Sequence, residues 1–285
     1  MTGKSIHFIL PGGGVKGCFQ AGFLYRLRKS YHHLYQIYRI DGTSVGSLNG
    51  AAMATDGMNK LREIWFSIKR MEDLFHPGSS WSLKLLIDGL SNRGIYENQK
   101  LWEKIVLDGQ KGNLSCYNCV VTDINDGMSY YINGSHPKIK EYILASSSPW
   151  IITRPQEIDG HQYTDGGLLE NFPISYCENS KADLKVLVGY DSLYEDLKSD
   201  GGENLFTYLQ SLIDISRRDH YRQVIREIER LNVIKIPYGL QTDFLNFNQD
   251  IIRNGWMLGE LAADEFAEKY LDDRQKMVTF YSDSV

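Results

Sequence analysis

Residues 42–46 read Gly-Thr-Ser-Val-Gly and place Ser44 at the centre of a G-x-S-x-G pattern, the signature of a nucleophile elbow. In such an elbow the serine occupies a sharp turn between a strand and a helix, and the flanking glycines, here Gly42 and Gly46, relieve the crowding. A helix that begins near Val45 directs its positive end at the serine oxygen, which favours a developing alkoxide. The pattern predicts Ser44 as a nucleophile and the Val45 amide as an auxiliary donor.

A run of three glycines, Gly12, Gly13 and Gly14, precedes the elbow and is followed by Val-Lys-Gly. Backbone N–H groups of glycines can approach a negative oxygen closely, because no Cβ intervenes. The run predicts an oxyanion hole with Gly13 and Gly14 as its preferred donors, each contributing about 3–4 kcal/mol to transition-state stabilisation. Lys16 adds positive potential or caps carbonyl groups, and Gly17 completes the motif. A tight turn without a ligand is the alternative.

Asp165 is followed by Gly166 and Gly167, and Asn171 comes shortly after them. Such a carboxylate can be brought against another loop, which makes Asp165 a candidate general base for Ser44. An isolated aspartate before glycine is more often a turn residue, so both interpretations stay open at this point. Because an aspartate in water is a weak base at neutral pH, the first interpretation requires partial desolvation of the carboxylate or a lowered serine pKa.

A Ser-His-Asp triad is the other arrangement that would activate a serine. His161 lies four residues before Asp165, but no histidine follows an acidic partner late in the chain, as the order of an α/β-hydrolase requires. We therefore expect all seven histidines to be core or surface residues: His7, His32, His33, His76, His136, His161 and His220.

The elements that position these motifs alternate between strand and helix. The patterns predict strands at 6–10, 35–40, 117–123, 128–132, 185–190 and 233–236, and helices at 18–29, 47–58, 138–145, 204–231 and 249–270. Residues 124–127 supply an Asp-Gly turn for a hairpin. Each glycine motif follows a strand and opens a helix, and this order indicates an α/β fold with a parallel sheet.

The composition is that of an ordinary globular protein, with 285 residues, 42% hydrophobic, and a formal charge of −5. We expect one domain over residues 1–285, with the motifs within 6–190 and the helices of 204–285 in the same unit. The balanced charge offers no global field for nucleic acid. No apolar run reaches the roughly 18–20 residues of a membrane span, and no export signal is found, so a cytoplasmic location with peripheral membrane contact is expected.

Four cysteines include one C-x-x-C pair, Cys116 and Cys119, without the second pair that a zinc site needs. We expect reduced thiols and no metal. Four arginines recur every fourth residue and form a basic stripe if their segment is helical. The stripe would suit anionic headgroups, but a solvated face paired with nearby acids is favoured; the residues concerned are Arg218, Arg222, Arg226 and Arg230, with Asp219, Glu227 and Glu229.

Taken together, four segments resemble the patatin-like phospholipases, in the order of that family: Gly-Gly-Gly-Val-Lys-Gly at 12–17, Gly-Thr-Ser-Val-Gly at 42–46, Ala-Ser-Ser-Ser-Pro at 145–149, and D-G-G-x-x-x-N-x-P at 165–173. The resemblance implies a three-layer α/β/α fold with a mostly parallel central sheet. It also implies a lipid acyl hydrolase of the phospholipase A or lysophospholipase type, which acts on lipid esters at a membrane or micelle surface and needs no cofactor.

The resemblance further implies a dyad without histidine, in which Asp165 is the base for Ser44 and residues 12–14 form the oxyanion loop. The pairing of Ser44 with Asp165 rests on this resemblance alone. The chain departs from the family at Pro11, where many relatives carry an acidic or small residue.

Three alternatives to the hydrolase stay open. An acyltransferase would use the same site, and a catalytically silent binding module would keep the fold for partner recognition. The spacing of Gly12, Gly14 and Gly17 also matches the dinucleotide fingerprint, with Asp41 where a ribose-binding acid would lie. The serine elbow directly after Asp41 argues against a nicotinamide enzyme, which has no use for it there.

Overall fold

The computed structural model describes residues 3–77, 96–107, 113–149, 153–190, 205–240, 242 and 244–272. The strands are β1 Lys4–Leu10, β2 Tyr35–Thr43, β3 His76–Pro77, β4 Tyr96–Glu97, β5 Tyr117–Asp123, β6 Met128–Asn133, β7 Gln156–Ile158, β8 His161–Asp165, β9 Leu184–Tyr190 and β10 Ile234–Pro237. The α-helices are α1 Gly17–Ser30, α2 Val45–Ala54, α3 Met58–Ser67, α4 Gln99–Glu103, α5 Ile139–Ser146, α6 Leu205–Arg230 and α7 Gln249–Phe266, and α7 continues as a π-helical segment, Ala267–Leu271.

The central sheet is mixed but mostly parallel. Strands β10, β9, β1, β2 and β5 are neighbours in that order and pair in parallel, as the strand–turn–helix pattern predicts. Strands β6 and β8 pair antiparallel with β5, and β7 pairs with β8. Strands β2 and β5 therefore end at the same edge of the sheet, where β8 returns beside β5.

Helices cover both faces of this sheet and make three layers. Alternate side chains of β1, those of Ile6 and Phe8, lie in the larger core beneath α1, α2 and α7. Ile9 points to the opposite face, where it belongs to a smaller core with Tyr221 and Ile228 of α6. The fold is therefore the α/β/α sandwich that the resemblance implies.

Helices α1 and α7 pack along each other on the side of the larger core. At the rim of this contact, Arg26 Nε lies 2.7 Å from Asp264 Oδ1. The Tyr31 hydroxyl donates to the same oxygen over 2.8 Å. Burial of Asp264 would raise its pKa, but these two hydrogen bonds outweigh it, and the pKa of the carboxyl is lowered.

Two stretches of the chain differ from the prediction. The helix predicted at 47–58 ends at Ala54, because Asp56 adopts a positive φ of 61° and a second helix starts at Met58. The hairpin of β7 and β8 is not predicted, since both strands are short and mostly polar and carry no apolar alternation. This hairpin matters because it ends at Asp165.

Arg222 and Arg230 of the arginine stripe form ion pairs with acidic neighbours. Arg222 lies 3.2 Å from Asp219, and Arg230 lies 2.7 Å from Glu227 and 3.1 Å from Glu178. These contacts agree with the solvated face favoured above. The Arg218 side chain lies outside the described residues. The single domain over residues 1–285 stays a prediction. None of the described helices is long and apolar enough to cross a bilayer.

Candidate active site

Ser44 occupies the junction between β2 and α2 in a backbone conformation that residues other than glycine rarely adopt, with φ 54° and ψ −126°. A non-glycine residue held in such a region costs of the order of 1–3 kcal/mol and marks functional sites. The turn is possible because the flanking positions lack side chains. A Cβ at Gly46 would lie 2.0 Å from the carbonyl oxygen of Leu10, and one at Gly42 would lie 2.5 Å from the carbonyl oxygen of Gly46.

The Ser44 hydroxyl donates a 2.6 Å hydrogen bond to Asp165 Oδ2. The second carboxylate oxygen, Oδ1, accepts the N–H of Gly167 over 2.7 Å. Asp165 is 5% exposed, so the carboxylate is withdrawn from bulk water. The side chain is therefore desolvated, oriented by a backbone donor, and aimed at the serine, which is the geometry of a base for Ser44.

The register of the sheet explains how residues 121 positions apart meet. Thr43, at the end of β2, pairs with Val120 of β5. Asp165, at the end of β8, pairs with Val121, the next residue of the same strand. Strand β5 thus positions both the loop that carries Ser44 and the loop that follows Asp165. Gly166 packs on it so closely that a Cβ there would lie 2.3 Å from the carbonyl oxygen of Val120.

The glycine loop runs beside Ser44. A Cβ at Gly12 would lie 2.9 Å from Ser44 Cβ. The Gly12 amide donates to Asn171 Oδ1 over 3.2 Å. Within the described part of the chain, the amides of Gly13 and Gly14 donate to no acceptor. The N–H of Gly12 is therefore occupied, whereas those of Gly13 and Gly14, the predicted preferred donors, are available to an oxyanion.

The remaining motif residues support the loop. Gly14 has φ 56°, and the next amide, that of Val15, donates to the carbonyl of Phe244 over 2.8 Å. Gly17 lets α1 approach α2, since a Cβ there would lie 2.3 Å from a methyl carbon of Val45. Lys16 Nζ lies 5.9 Å from the ring centroid of the buried Tyr238, whose hydroxyl oxygen would lie 2.8 Å from a Cβ at Gly13, so the charge of Lys16 lies near the glycine loop.

Asp41 and His161, the candidates for binding a ribose and for completing a triad, are hydrogen-bonded to other side chains. Asp41 is fully buried, and its carboxylate accepts hydrogen bonds from His7, Arg39 and Asn118, so it is not open to a ribose. His161 pairs with Asp123 through a 2.6 Å hydrogen bond. It lies at the opposite end of β8 from Asp165, about 13 Å away along the strand.

A thiol beneath the site does not compete with the serine. Cys119 is fully buried in β5, and its Sγ donates to the carbonyl of Tyr142. Burial raises the pKa of Cys119 to about 12, so the unreactive thiol form prevails. Cys116 donates instead to the carbonyl of Asn113, so the two sulfurs of the C-x-x-C pair have separate partners. Among the described residues no group of three metal-binding side chains converges.

Three further side chains contact this site, and their roles are not predicted by the sequence. Ser146 and Ser147 hydrogen-bond the backbone of Ser44, and Asn171 holds Gly12. Their motifs are visible in the sequence, but a serine or asparagine pattern does not name its partner. The contacts span 102, 103 and 159 residues, respectively.

Comparison with known proteins shows which proteins the chain is similar to. The chain is 25% identical over 221 residues to lysophospholipase NTE1 of Phaeosphaeria nodorum, covering 72% of this chain and 13% of that protein. It is 28% identical over 204 residues to patatin-like phospholipase domain-containing protein 7 of Rattus norvegicus, covering 67% and 14%. Protein 6 of the same series, from Homo sapiens, is 27% identical over 219 residues, covering 72% and 15%.

The chain thus spans only about one-seventh of the length of these relatives. Among solved structures, VipD from Legionella pneumophila aligns with 93% of this chain and 67% of its own, at 16% identity and a TM-score of 0.42. The model of the patatin-like phospholipase family matches residues 8–177, which is more than half of the chain and includes all four motifs. The chain therefore belongs to the patatin-like phospholipase family.

Proposed function

We propose that this chain hydrolyses carboxylic esters of lipids, as a phospholipase A or lysophospholipase, through an acyl-enzyme formed on Ser44. The observation that carries the proposal is the 2.6 Å hydrogen bond from the hydroxyl of Ser44, in a strained elbow, to the buried carboxylate of Asp165. Family membership supports a lipid ester as substrate, and relatives at about one-quarter identity are named lysophospholipases.

In the first step Asp165 accepts the hydroxyl proton while Ser44 Oγ attacks the ester carbonyl carbon. The carbonyl oxygen gains the negative charge and accepts hydrogen bonds from the amides of Gly13 and Gly14. When the tetrahedral intermediate collapses, the bond to the alcohol oxygen breaks, and that oxygen takes the proton from Asp165. The lysolipid or alcohol leaves, and the fatty acyl group remains on Ser44 as an ester.

In the second step a water molecule replaces the alcohol. Asp165 accepts one of its protons, and the resulting hydroxide attacks the acyl carbon, so a second oxyanion forms at the same amides. Collapse returns the proton to Ser44 and releases the fatty acid. Each cycle thus restores both side chains, and neither step requires a metal or cofactor.

The decisive experiment combines active-site labelling with product analysis. One sample of the purified chain is treated with a fluorophosphonate probe. A second, untreated sample is incubated with lipids that differ in headgroup and acyl number, and the products are identified by mass. We expect labelling at Ser44 and release of free fatty acid, both abolished by Ser44→Ala. Labelling that persists in Ser44→Ala, or a wild-type chain that neither labels nor releases fatty acid, would refute the proposal.

An alcohol added to the same assay separates hydrolase from acyltransferase. Fatty acid as the main product shows that water is the acceptor, and a new ester of the added alcohol shows transfer through the same acyl-enzyme. Binding of NAD(H) without any labelling would favour the dinucleotide-binding alternative instead.

A further inference from the structure

The segment Ala145-Ser146-Ser147-Ser148-Pro149 has no part in the steps above, although it lies directly beneath the nucleophile. The segment begins with Ala145 and Ser146, the last two residues of α5, and its three serines are buried. Two of the three hydroxyls contact the backbone of Ser44, not its side chain. Because a strained backbone persists only where its surroundings hold it, these contacts bear on how the nucleophile is positioned.

Ser146 holds the amide side of the elbow. Its Oγ accepts the N–H of Ser44 over 3.0 Å and donates to the carbonyl of Val120 over 2.6 Å. A hydroxyl has one proton, so these two bonds use it as a single relay between the elbow and β5. Val120 is adjacent to Val121, the residue that pairs with Asp165. Ser146 therefore links the backbone of Ser44 to β5, the strand that also positions Asp165.

Ser147 holds the carbonyl side. The carbonyl oxygen of Ser44 accepts the Ser147 hydroxyl over 3.1 Å, the Ser47 hydroxyl over 2.7 Å and the Ser47 amide over 2.9 Å. Since the peptide group is planar and trans, a carbonyl held in this direction turns the N–H of Val45 to the opposite side. The Val45 amide opens α2 and donates to no acceptor within the described residues.

We propose that Ser146 and Ser147 are positioning residues of the active site. Ser146 keeps Ser44 Oγ in line with its base, and Ser147, together with Ser47, aims the Val45 amide at the oxyanion as a third donor beside the glycine loop. This inference rests on the proposed function, because an oxyanion forms only if the chain carries out acyl transfer. It assigns to the serine segment a role in the transition state.

The test measures kcat and KM for p-nitrophenyl butyrate, the rate of fluorophosphonate labelling, and the unfolding temperature. The variants are Ser146→Ala, Ser147→Ala, Ser47→Ala and the double variant of the last two. The matched control is Thr55→Val, which removes one equally buried hydroxyl whose acceptors are carbonyls of its own helix. All assays run well below the lowest unfolding temperature.

For Ser146→Ala we expect kcat and the labelling rate to fall about tenfold or more, with KM within twofold, because the Ser44 amide loses its acceptor. The two hydroxyls on the Ser44 carbonyl substitute for each other. Ser147→Ala and Ser47→Ala alone should therefore lower kcat less than fivefold, and the double variant should lower it by more than the product of the two effects. Thr55→Val should keep wild-type kcat even if its unfolding temperature drops as far.

A kcat of Ser146→Ala within fivefold of wild type, a loss that falls in KM, or an equal loss in Thr55→Val would overturn the proposal. If Ser146→Ala gives no folded protein, the Ser47 and Ser147 pair decides, and a double variant with only multiplicative effects refutes the role of the carbonyl contacts. A wild-type chain without esterase activity or labelling rejects the proposed function instead, so the two failures are distinct.

Discussion

Replacement of Asp165 by asparagine removes the proposed base and should leave the shape of the site unchanged. In the wild type, Oδ1 accepts the Gly167 amide over 2.7 Å, and Oδ2 accepts the Ser44 hydroxyl over 2.6 Å. In Asp165→Asn the Gly167 amide keeps the side-chain oxygen, so the NH₂ group faces Ser44. An NH₂ group donates and cannot accept the serine proton.

The expected size of the effect follows from this geometry. Loss of a positioned general base lowers the rate by about 10²–10⁴-fold, which corresponds to roughly 2.7–5.4 kcal/mol of transition-state free energy. We expect kcat/KM for a soluble ester to fall within this range. The residual rate of Asp165→Asn should increase steadily with pH, because hydroxide must then remove the proton from Ser44. The double variant Ser44→Ala/Asp165→Asn should be no less active than Ser44→Ala, since the two residues act as a unit.

The matched control is Asp123→Asn, which alters another buried aspartate of the same sheet. Its carboxylate bonds His161 and the amide of Asn125, so the change should lower stability and leave kcat unchanged. An Asp165→Asn variant within tenfold of the wild type would refute the reasoning. So would an equal loss of kcat in Asp123→Asn, because it would show that any buried aspartate is needed.

Three further predictions concern the supports of the site and the outer helices. Asn171→Ala removes the acceptor of the Gly12 amide and should lower kcat/KM about tenfold, because a polar partner worth about 1–3 kcal/mol is lost; steady-state kinetics check this. Gly46→Ala places a methyl group 2.0 Å from a carbonyl oxygen of β1 and should lower the free energy of unfolding in urea by about 1–3 kcal/mol or more. Asp264→Asn should cost less than about 1 kcal/mol at pH 7, since its ion pair with Arg26 is more than one-third exposed. Because the folded state lowers the pKa of Asp264, this difference should be complete at neutral pH and vanish as the pH falls through that pKa; unfolding curves at pH 7 and pH 3 test the sign.

Much of the fold could be predicted from local pattern. The parallel strands and the helices between them follow the apolar periodicity, and the hairpin of β5 and β6 follows its Asp-Gly turn, with Gly127 at φ 72°. The hairpin of β7 and β8 was missed although its two-residue turn, Asp159-Gly160, has the positive φ values of 53° and 83° that tight turns need, because its strands are short and mostly polar. The end of α2 was misplaced because Asp56, a polar residue in a helical pattern, turns left-handed.

The sequence by itself determined which residues have the backbone freedom and chemistry of a site. Glycines and a serine at fixed spacing state what the local backbone must do, and that information is contained within a few residues. Only the tertiary structure decided which of these residues contact each other. Strand β5 brings Asp165 beside Ser44. Asn171 accepts the Gly12 amide, and Ser146 accepts the Ser44 amide. The physical reason is that a hydrogen bond over more than 100 residues depends on the register of the whole sheet, which no local spacing records.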